Sequence, residues 1–163
     1  MTTKASYSAE EWAKIMRAPG MAGAYVMLAS KSGPLQVMKE ALAIGQTLAE
    51  TEKAGGEGEL IAALIADMKS GARPDAGPKP ADMQNEEQVR QMALDDCHTA
   101  VELIREKGGA AEATEFAKWL VSVAHKVAEA GKEGGFLGFG GTAVNDQEKA
   151  ALQSLSQSLG MNA

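Results

Sequence analysis

The chain has 163 residues, a length typical of one domain and short of two. Its 16 Lys and Arg residues against 22 Asp and Glu residues give a net charge of −6, so no basic surface for phosphate is predicted and no nucleic-acid partner is expected. Ala, Leu and Met dominate the apolar residues and only 4% of the chain is aromatic, a mixture that favours helices over strands.

The start of the chain predicts a capped helix and then a break. No charged-then-apolar segment of the secretory type is present, which together with a single cysteine predicts a cytoplasmic protein. Ser8 and Glu11 have capping-box spacing and predict a helix over residues 9–17. Pro19 has no N–H group, so we expect a helix boundary there. The uncharged residues 21–29 predict a helix surrounded by others, and they fall short of the ~20 residues that span a bilayer, so no membrane insertion is expected.

Two more helices and a loop complete the first half. Apolar residues recur at helical spacing over residues 35–48 and over residues 60–68. Residues 70–84 contain three prolines and two glycines, a composition that resists regular structure. We therefore predict an irregular surface loop there, inside one helical domain that covers residues 1–163.

Three predicted helices form the second half. Asn85 caps the first, which runs to Gly108–Gly109 and has an apolar seam of Leu94, Cys97, Val101 and Ile104. The second ends near Gly131 and has a stripe of Phe116, Leu120, Val123 and Val127. The last begins after Asn145, with Glu148 in a capping-box-like position, and has a stripe of Leu152, Leu155 and Leu159.

Together these patterns predict an all-α fold, a single globular bundle of six or seven helices without a strand. The helix over residues 21–29 and its amphipathic successor over residues 35–48 are echoed by the helices on either side of the glycine-rich segment near residue 135. Two duplicated helical hairpins around buried central helices would give this echo. Chance similarity between helices would also give it, and both interpretations remain open.

The most unusual segment is a glycine-rich loop, with six glycines between Gly131 and Gly141. Such a segment can bring backbone N–H groups together on a ligand or present a loop to a partner. It is no Walker or dinucleotide loop, because the preceding strand and the following Gly-Lys-Ser/Thr are missing. The ordinary alternative is a tight connection whose phenylalanines fold back over the core. The candidate partner-binding residues are Gly134, Gly135, Phe136, Phe139, Gly140 and Gly141.

Three carboxylates flank this loop and form a candidate metal site. If the loop closes on itself, Glu133, Asp146 and Glu148 can surround a hard cation such as Ca²⁺ or Mg²⁺. Acidic residues in a first helical turn are also what the helix dipole favours. The helix-dipole interpretation is the simpler of the two, and the cation site is its alternative.

Other groups give weaker signals. Asp95, His98 and Glu102 share one side of a helix, but at 100° per residue they fall at the edge of the apolar seam and toward water. His125 lies opposite the stripe of its own helix. Cys97 falls within an apolar seam, which predicts a buried thiol. No nucleophile or zinc motif is present, so no enzymatic activity is predicted.

The carboxyl-terminal segments resemble the TerB-like tellurite-resistance family. The resemblance rests on the alanine-rich residues 123–130, the acidic turn Glu133–Gly134, the acid-led helix over residues 145–152 and the ending over residues 155–160. It implies an all-α fold of two helical hairpins, a role in tellurite resistance or bacterial stress response, and acidic turns suspected of binding metal. Ser32–Gly33 stands at the first acidic turn without an acid, so the resemblance implies at most one metal site, at Glu133 and Glu148.

The sequence therefore predicts a non-enzymatic cytoplasmic helical module that binds a protein partner, a second copy or an ion through the glycine-rich loop. The alternative is a helical ligand carrier or enzyme with an apolar pocket between hairpins, lined by methionines, Tyr25 and Trp119.

Overall fold

A computed structural model describes residues 1–29, 58–72, 85–133, 144 and 146–161, and for residues 130–133 it describes the backbone alone. The described residues form a 3₁₀ turn and four α-helices and contain no strand. The elements in chain order are the turn Lys4–Ser6, α1 (Ala9–Met27), α2 (Glu59–Lys69), α3 (Glu86–Glu133) and α4 (Asp146–Ser158). The predicted all-α class is confirmed.

The predicted six or seven helices are not found among the described residues, which form four. The expected boundary at Pro19 is absent, because one helix runs through it. At Gly108–Gly109, where a helix end is expected, Gly109 does interrupt the helical conformation, and the chain continues in a new direction as the second part of α3. The predicted helix over residues 35–48, and with it the test of a duplicated hairpin, lies outside the described residues.

Helix α1 begins as its sequence predicts and continues further. The Ser8 side chain accepts a hydrogen bond from the Glu11 N–H, and Glu11 Oε2 accepts one from the Ser8 N–H at 2.7 Å. Residues 18–28 are all buried, so the second half of α1 is a central helix, as expected. Burial on every side holds this segment helical although Pro19 removes one backbone donor.

Helix α2 ends in a turn that needs a glycine. Its buried face consists of the predicted apolar residues Leu60, Ile61, Leu64, Ile65 and Met68. Gly71 has a φ of 82°, and the Ala72 N–H bonds back to the Asp67 carbonyl, as in a Schellman motif. The remaining predicted loop residues, 73–84, lie outside the described residues.

Helix α3 consists of two arms, residues 86–108 and 110–133, which meet at a corner at Gly109. Gly109 has a φ of 88° and a ψ of 174°, which interrupts the helical conformation. In the first arm, Asp96 contacts Arg17 and Arg90 contacts Tyr25, so this arm runs opposite to α1. In the second arm Glu112 contacts Thr2 and Val127 lies against Gly23, so this arm runs in the same direction as α1.

The core lies where α1 packs along α3 and where α4 packs against both. The predicted stripes of the second arm and of α4 are buried, including Phe116, Leu120, Leu152 and Leu155. In the first arm Leu94 is only partly buried, and the seam is completed by Val89, Ala93 and Ala100. Among the described helices, none combines the length and apolar character needed to cross a membrane.

Candidate functional site

The carboxylates predicted at the edges of the glycine-rich loop have different surroundings. Asp146 is the first residue of α4, its side chain is fully exposed, and it lies 3.7 Å from the Lys149 ammonium. Glu148, two residues later, is only 5% exposed. Glu133 is the last residue of α3, and its side chain lies outside the described part of the chain. The predicted partner-binding residues Gly134, Gly135, Phe136, Phe139, Gly140 and Gly141 also lie outside it.

Within the described residues, no three His, Cys, Asp or Glu side chains come together as a metal-binding set. Asp95 accepts a hydrogen bond from Gln91 at 2.8 Å, and Glu102 pairs with Arg105 on the same helix. His98 is exposed, as its angular position predicts. The acids on this side of α3 therefore make ordinary surface pairs along one helix.

The thiol of Cys97 is a packing group. It is fully buried and donates a hydrogen bond to the Ala18 carbonyl of α1 at 3.5 Å. Burial, and to a lesser degree the neighbouring Asp96 carboxylate, raises the pKa of Cys97 far above its usual value. A thiolate is therefore disfavoured in the folded chain, and the predicted buried thiol is confirmed.

Among the described residues, Glu112 lies in a buried polar cluster that the sequence did not reveal. We call it the amino-terminal cluster (Thr2, Tyr7, Gly108 and Glu112). Glu112 is 7% exposed and Thr2 equally so. The Thr2 N–H is shared between both Glu112 carboxylate oxygens, at 2.9 and 3.0 Å, and the Thr2 hydroxyl donates to Glu112 Oε2 at 2.9 Å. The Tyr7 hydroxyl lies 2.8 Å from the same Thr2 hydroxyl. A buried carboxylate needs such donors, because an unpaired buried charge is strongly unfavourable.

Two glycines at the corner make this cluster possible. A Cβ built on Gly108 would lie 1.8 Å from Glu112 Oε2, so the carboxylate occupies the space in which a side chain at residue 108 would begin. Gly109 supplies the left-handed φ that turns the chain into the second arm. The corner thus brings Glu112 back over residue 108 and toward Thr2.

A second set of contacts surrounds the cluster at the surface. The Lys107 ammonium donates to the Ser6 carbonyl at 3.0 Å and to Glu11 Oε2 at 2.6 Å, and it lies 5.2 Å from the centre of the Tyr7 ring. The hydrogen bond from Lys107, aided by Ser8, lowers the pKa of Glu11. These contacts tie the beginning of the chain to the end of the first arm of α3.

Asp67 ties the same segment to α2. Its carboxylate accepts hydrogen bonds from Lys4 at 2.5 Å and from the Trp12 indole N–H at 2.8 Å. The Lys4 hydrogen bond is the main cause that lowers the pKa of Asp67, with the Trp12 donor adding to it against some desolvation. Trp12 also packs against Tyr7, with ring centres 5.9 Å apart.

Sequence reasoning missed the amino-terminal cluster because its signals are ordinary when taken singly. Gly108–Gly109 predicts a helix end, which agrees with the interruption at Gly109, but nothing in the sequence singles out Glu112. The one available clue is that an acid follows Gly109 at the third position of the next helix, where acids are common for local reasons. No pattern within a few residues points from Glu112 to Thr2.

The aromatic residues of the alternative pocket hypothesis are both buried. Tyr25 is 6% exposed and lies beneath the Arg90 guanidinium at 5.4 Å. Trp119 is 4% exposed and packs against Phe116, with ring centres 5.7 Å apart. The Trp119 indole N–H has no hydrogen-bond acceptor among the residues that the structure describes.

A comparison of this chain with protein families, with curated proteins and with solved structures found no match. The resemblance to TerB-like proteins therefore stays a prediction from the sequence.

Proposed function

We propose that the protein is a non-enzymatic helical binding module of the TerB-like kind that works in the cytoplasm. It binds a hard cation or a second protein molecule through the glycine-rich loop between α3 and α4, in a stress response of the tellurite-resistance type. The single observation that carries this proposal is the buried Glu148 carboxylate in the first turn of α4, next to the loop.

Buried residues on both sides of the glycine-rich loop support this proposal. Val144 and Glu148 are both buried on the loop side of α4, and Val127 and Ala128 are buried near the end of α3. A loop held at both ends loses less conformational entropy on binding than a free segment does. A buried carboxylate beside it supplies the oxygen ligand that Ca²⁺ or Mg²⁺ prefers.

The cation part of the proposal is tested by titration calorimetry of the metal-free protein with Ca²⁺ and Mg²⁺. We expect heat of binding, one site per chain, and a melting temperature that rises with occupancy. Glu148→Gln should abolish both signals, whereas Asp146→Asn, at the exposed neighbouring acid, should weaken them by less. Zn²⁺ should bind weakly because the site has only oxygen ligands. If millimolar Ca²⁺ and Mg²⁺ give neither heat nor a thermal shift, Glu148 is a helix-capping acid.

The partner part is tested with a second copy of the chain as the probe. Sedimentation velocity over a wide range of concentration should reveal self-association that the double variant Phe136→Ser, Phe139→Ser removes, because aromatic side chains are enriched at protein interfaces. Asp146→Asn serves as the control that leaves the apolar loop residues in place. A wild-type chain that sediments as a monomer at every concentration contradicts self-association.

A second candidate function is favoured by the Trp119 indole. A buried N–H without an acceptor costs free energy, and the oxygen of a bound apolar ligand would remove that cost. The proposal is then a carrier for a small apolar molecule with a carbonyl or carboxylate group. Native mass spectrometry of the purified chain should show a retained small molecule that Trp119→Phe releases. A wild-type chain that carries no added mass argues against the carrier.

A further inference from the structure

We propose that residues 2–7 form a strap that opens and closes as one unit, and that the closed strap holds the corner of α3 at Gly109. The inference is independent of the glycine-rich loop and of its ligand. It rests on the Thr2–Glu112 contact, which joins two segments 110 residues apart in sequence.

The strap has a buried anchor at each end and an exposed middle. Thr2 and Tyr7 are buried and share a hydrogen bond, whereas the 3₁₀ turn between them contains no buried residue. Tyr7 also packs against Trp12, and the exposed middle is held at the surface by the ion pair of Lys4 with Asp67 and by the hydrogen bond from Lys107 to the Ser6 carbonyl. Exposed ion pairs contribute little to stability, so the two anchors decide whether the strap stays closed.

The same anchor fixes the corner. The Glu112 carboxylate lies over Gly108 and accepts three hydrogen-bond contacts from Thr2, two to the N–H group and one to the hydroxyl. Opening the strap removes these donors from a buried carboxylate, which then has to leave the space over Gly108 to reach water. Strap opening and loosening of the first turn of the second arm are therefore one event.

Segments that open locally with a low free energy are commonly those that respond to a partner or to solution conditions. The strap fits this description because its middle, Lys4–Ser6, contains no buried residue and is joined to the rest of the chain by surface contacts with Asp67 and Lys107. Its release changes the junction of the two arms of α3. The structure thus contains a conformational device in which the beginning of the chain controls the corner of its longest helix.

The test is hydrogen–deuterium exchange of the full chain, read by mass spectrometry at three sets of amides: residues 3–8, residues 113–116 and residues 18–27. Thr2→Val keeps the branched shape and removes the hydroxyl that bonds Glu112. We expect exchange to accelerate roughly tenfold in the first two sets together, since hydrogen bonds to a charged group are among the stronger ones. The amides of residues 18–27, in central α1, should exchange as in the wild-type chain.

Two matched variants control the result. Thr2→Ser keeps the hydroxyl and should exchange as the wild type, and Lys4→Ala removes only the exposed contact with Asp67 and should change exchange by less than about threefold. The proposal is overturned if Thr2→Val accelerates exchange at residues 3–8 alone. It is equally overturned if that variant accelerates all three sets to the same extent or changes none of them.

Discussion

Gly108 is the residue at which two local effects oppose each other. Alanine at a helical glycine stabilises a helix by about 1 kcal/mol. A Cβ there would displace the Glu112 carboxylate from its contacts with Thr2, and hydrogen bonds to charged groups contribute about 1.5–3 kcal/mol. We therefore predict that Gly108→Ala lowers the free energy of unfolding by about 1 kcal/mol, measured by urea denaturation.

The double variant Gly108→Ala, Glu112→Ala separates these causes. With the carboxylate gone, the added methyl group no longer displaces it and meets the Thr2 methyl group at 3.2 Å. The double variant should therefore lose clearly less stability than the sum of the two single variants. Additive costs would show that Gly108 and Glu112 do not interact.

The buried position of Cys97 predicts the reactivity of its thiol. Because burial raises its pKa and hides its sulfur, a thiol reagent at pH 8 should leave the native chain unmodified. In urea the same reagent should modify one thiol per chain, the number of cysteines in the sequence. Modification of the native chain faster than global unfolding would contradict the buried position.

Cys97 and Glu112 show which structural features the sequence can predict and which it cannot. The burial of Cys97 follows from its position in an apolar helical face, which is a local property. The contact of Glu112 depends on a residue at the other end of the sequence and on the turn at Gly109, so no local pattern contains it.

At the scale of the helix, the packing of α1 against the second arm of α3 depends on Gly23. A Cβ at residue 23 would lie 2.9 Å from Val127 Cγ2, closer than real Cβ contacts. Overpacking of this kind costs about 1–3 kcal/mol, more than the helix propensity gained from alanine. We predict that Gly23→Ala lowers the free energy of unfolding in urea, and that adding Val127→Ala recovers part of the loss. A stabilised single variant would show that the two helices separate at no cost.

The same helix shows why the described residues form fewer helices than predicted although the all-α class is confirmed. Composition and periodicity report which residues face a core, and they correctly marked the uncharged second half of α1 and the stripe of the second arm. The rule that proline ends a helix considers only the one backbone hydrogen bond that proline cannot donate. It does not include the burial of residues 18–28 on all sides, which keeps the helix continuous.

The glycine-rich loop is the most unusual segment of the sequence, but it lies outside the described residues, so its role stays a prediction.

For the molecule as a whole, stability should fall in acid. The pKa values of Asp67 and Glu11 are lowered in the folded chain from their usual values of 3.8 and 4.5. A lowered folded-state pKa stabilises the fold above the unfolded value, and this stabilisation is lost as the pH falls through the folded value. The free energy of unfolding should therefore decline below about pH 4.5.

Urea denaturation between pH 6 and pH 3 measures this decline. Asp67→Asn, which removes one of the two carboxylates, should make the decline shallower, and high salt should do the same because both ion pairs are near the surface. A decline that is equally steep in Asp67→Asn would assign the acid sensitivity to other groups.

The long sequence separation between Thr2 and Glu112 also sets an order of events during synthesis. At about 5–20 residues per second, a ribosome needs roughly 5 to 20 seconds to extend the chain from one partner to the other. After residue 28, for most of that interval, the uncharged second half of α1 has been made and the α3 arms that will cover it are incomplete. The central helix α1 is thus the one that stays accessible to chaperones for the longest time in the nascent chain.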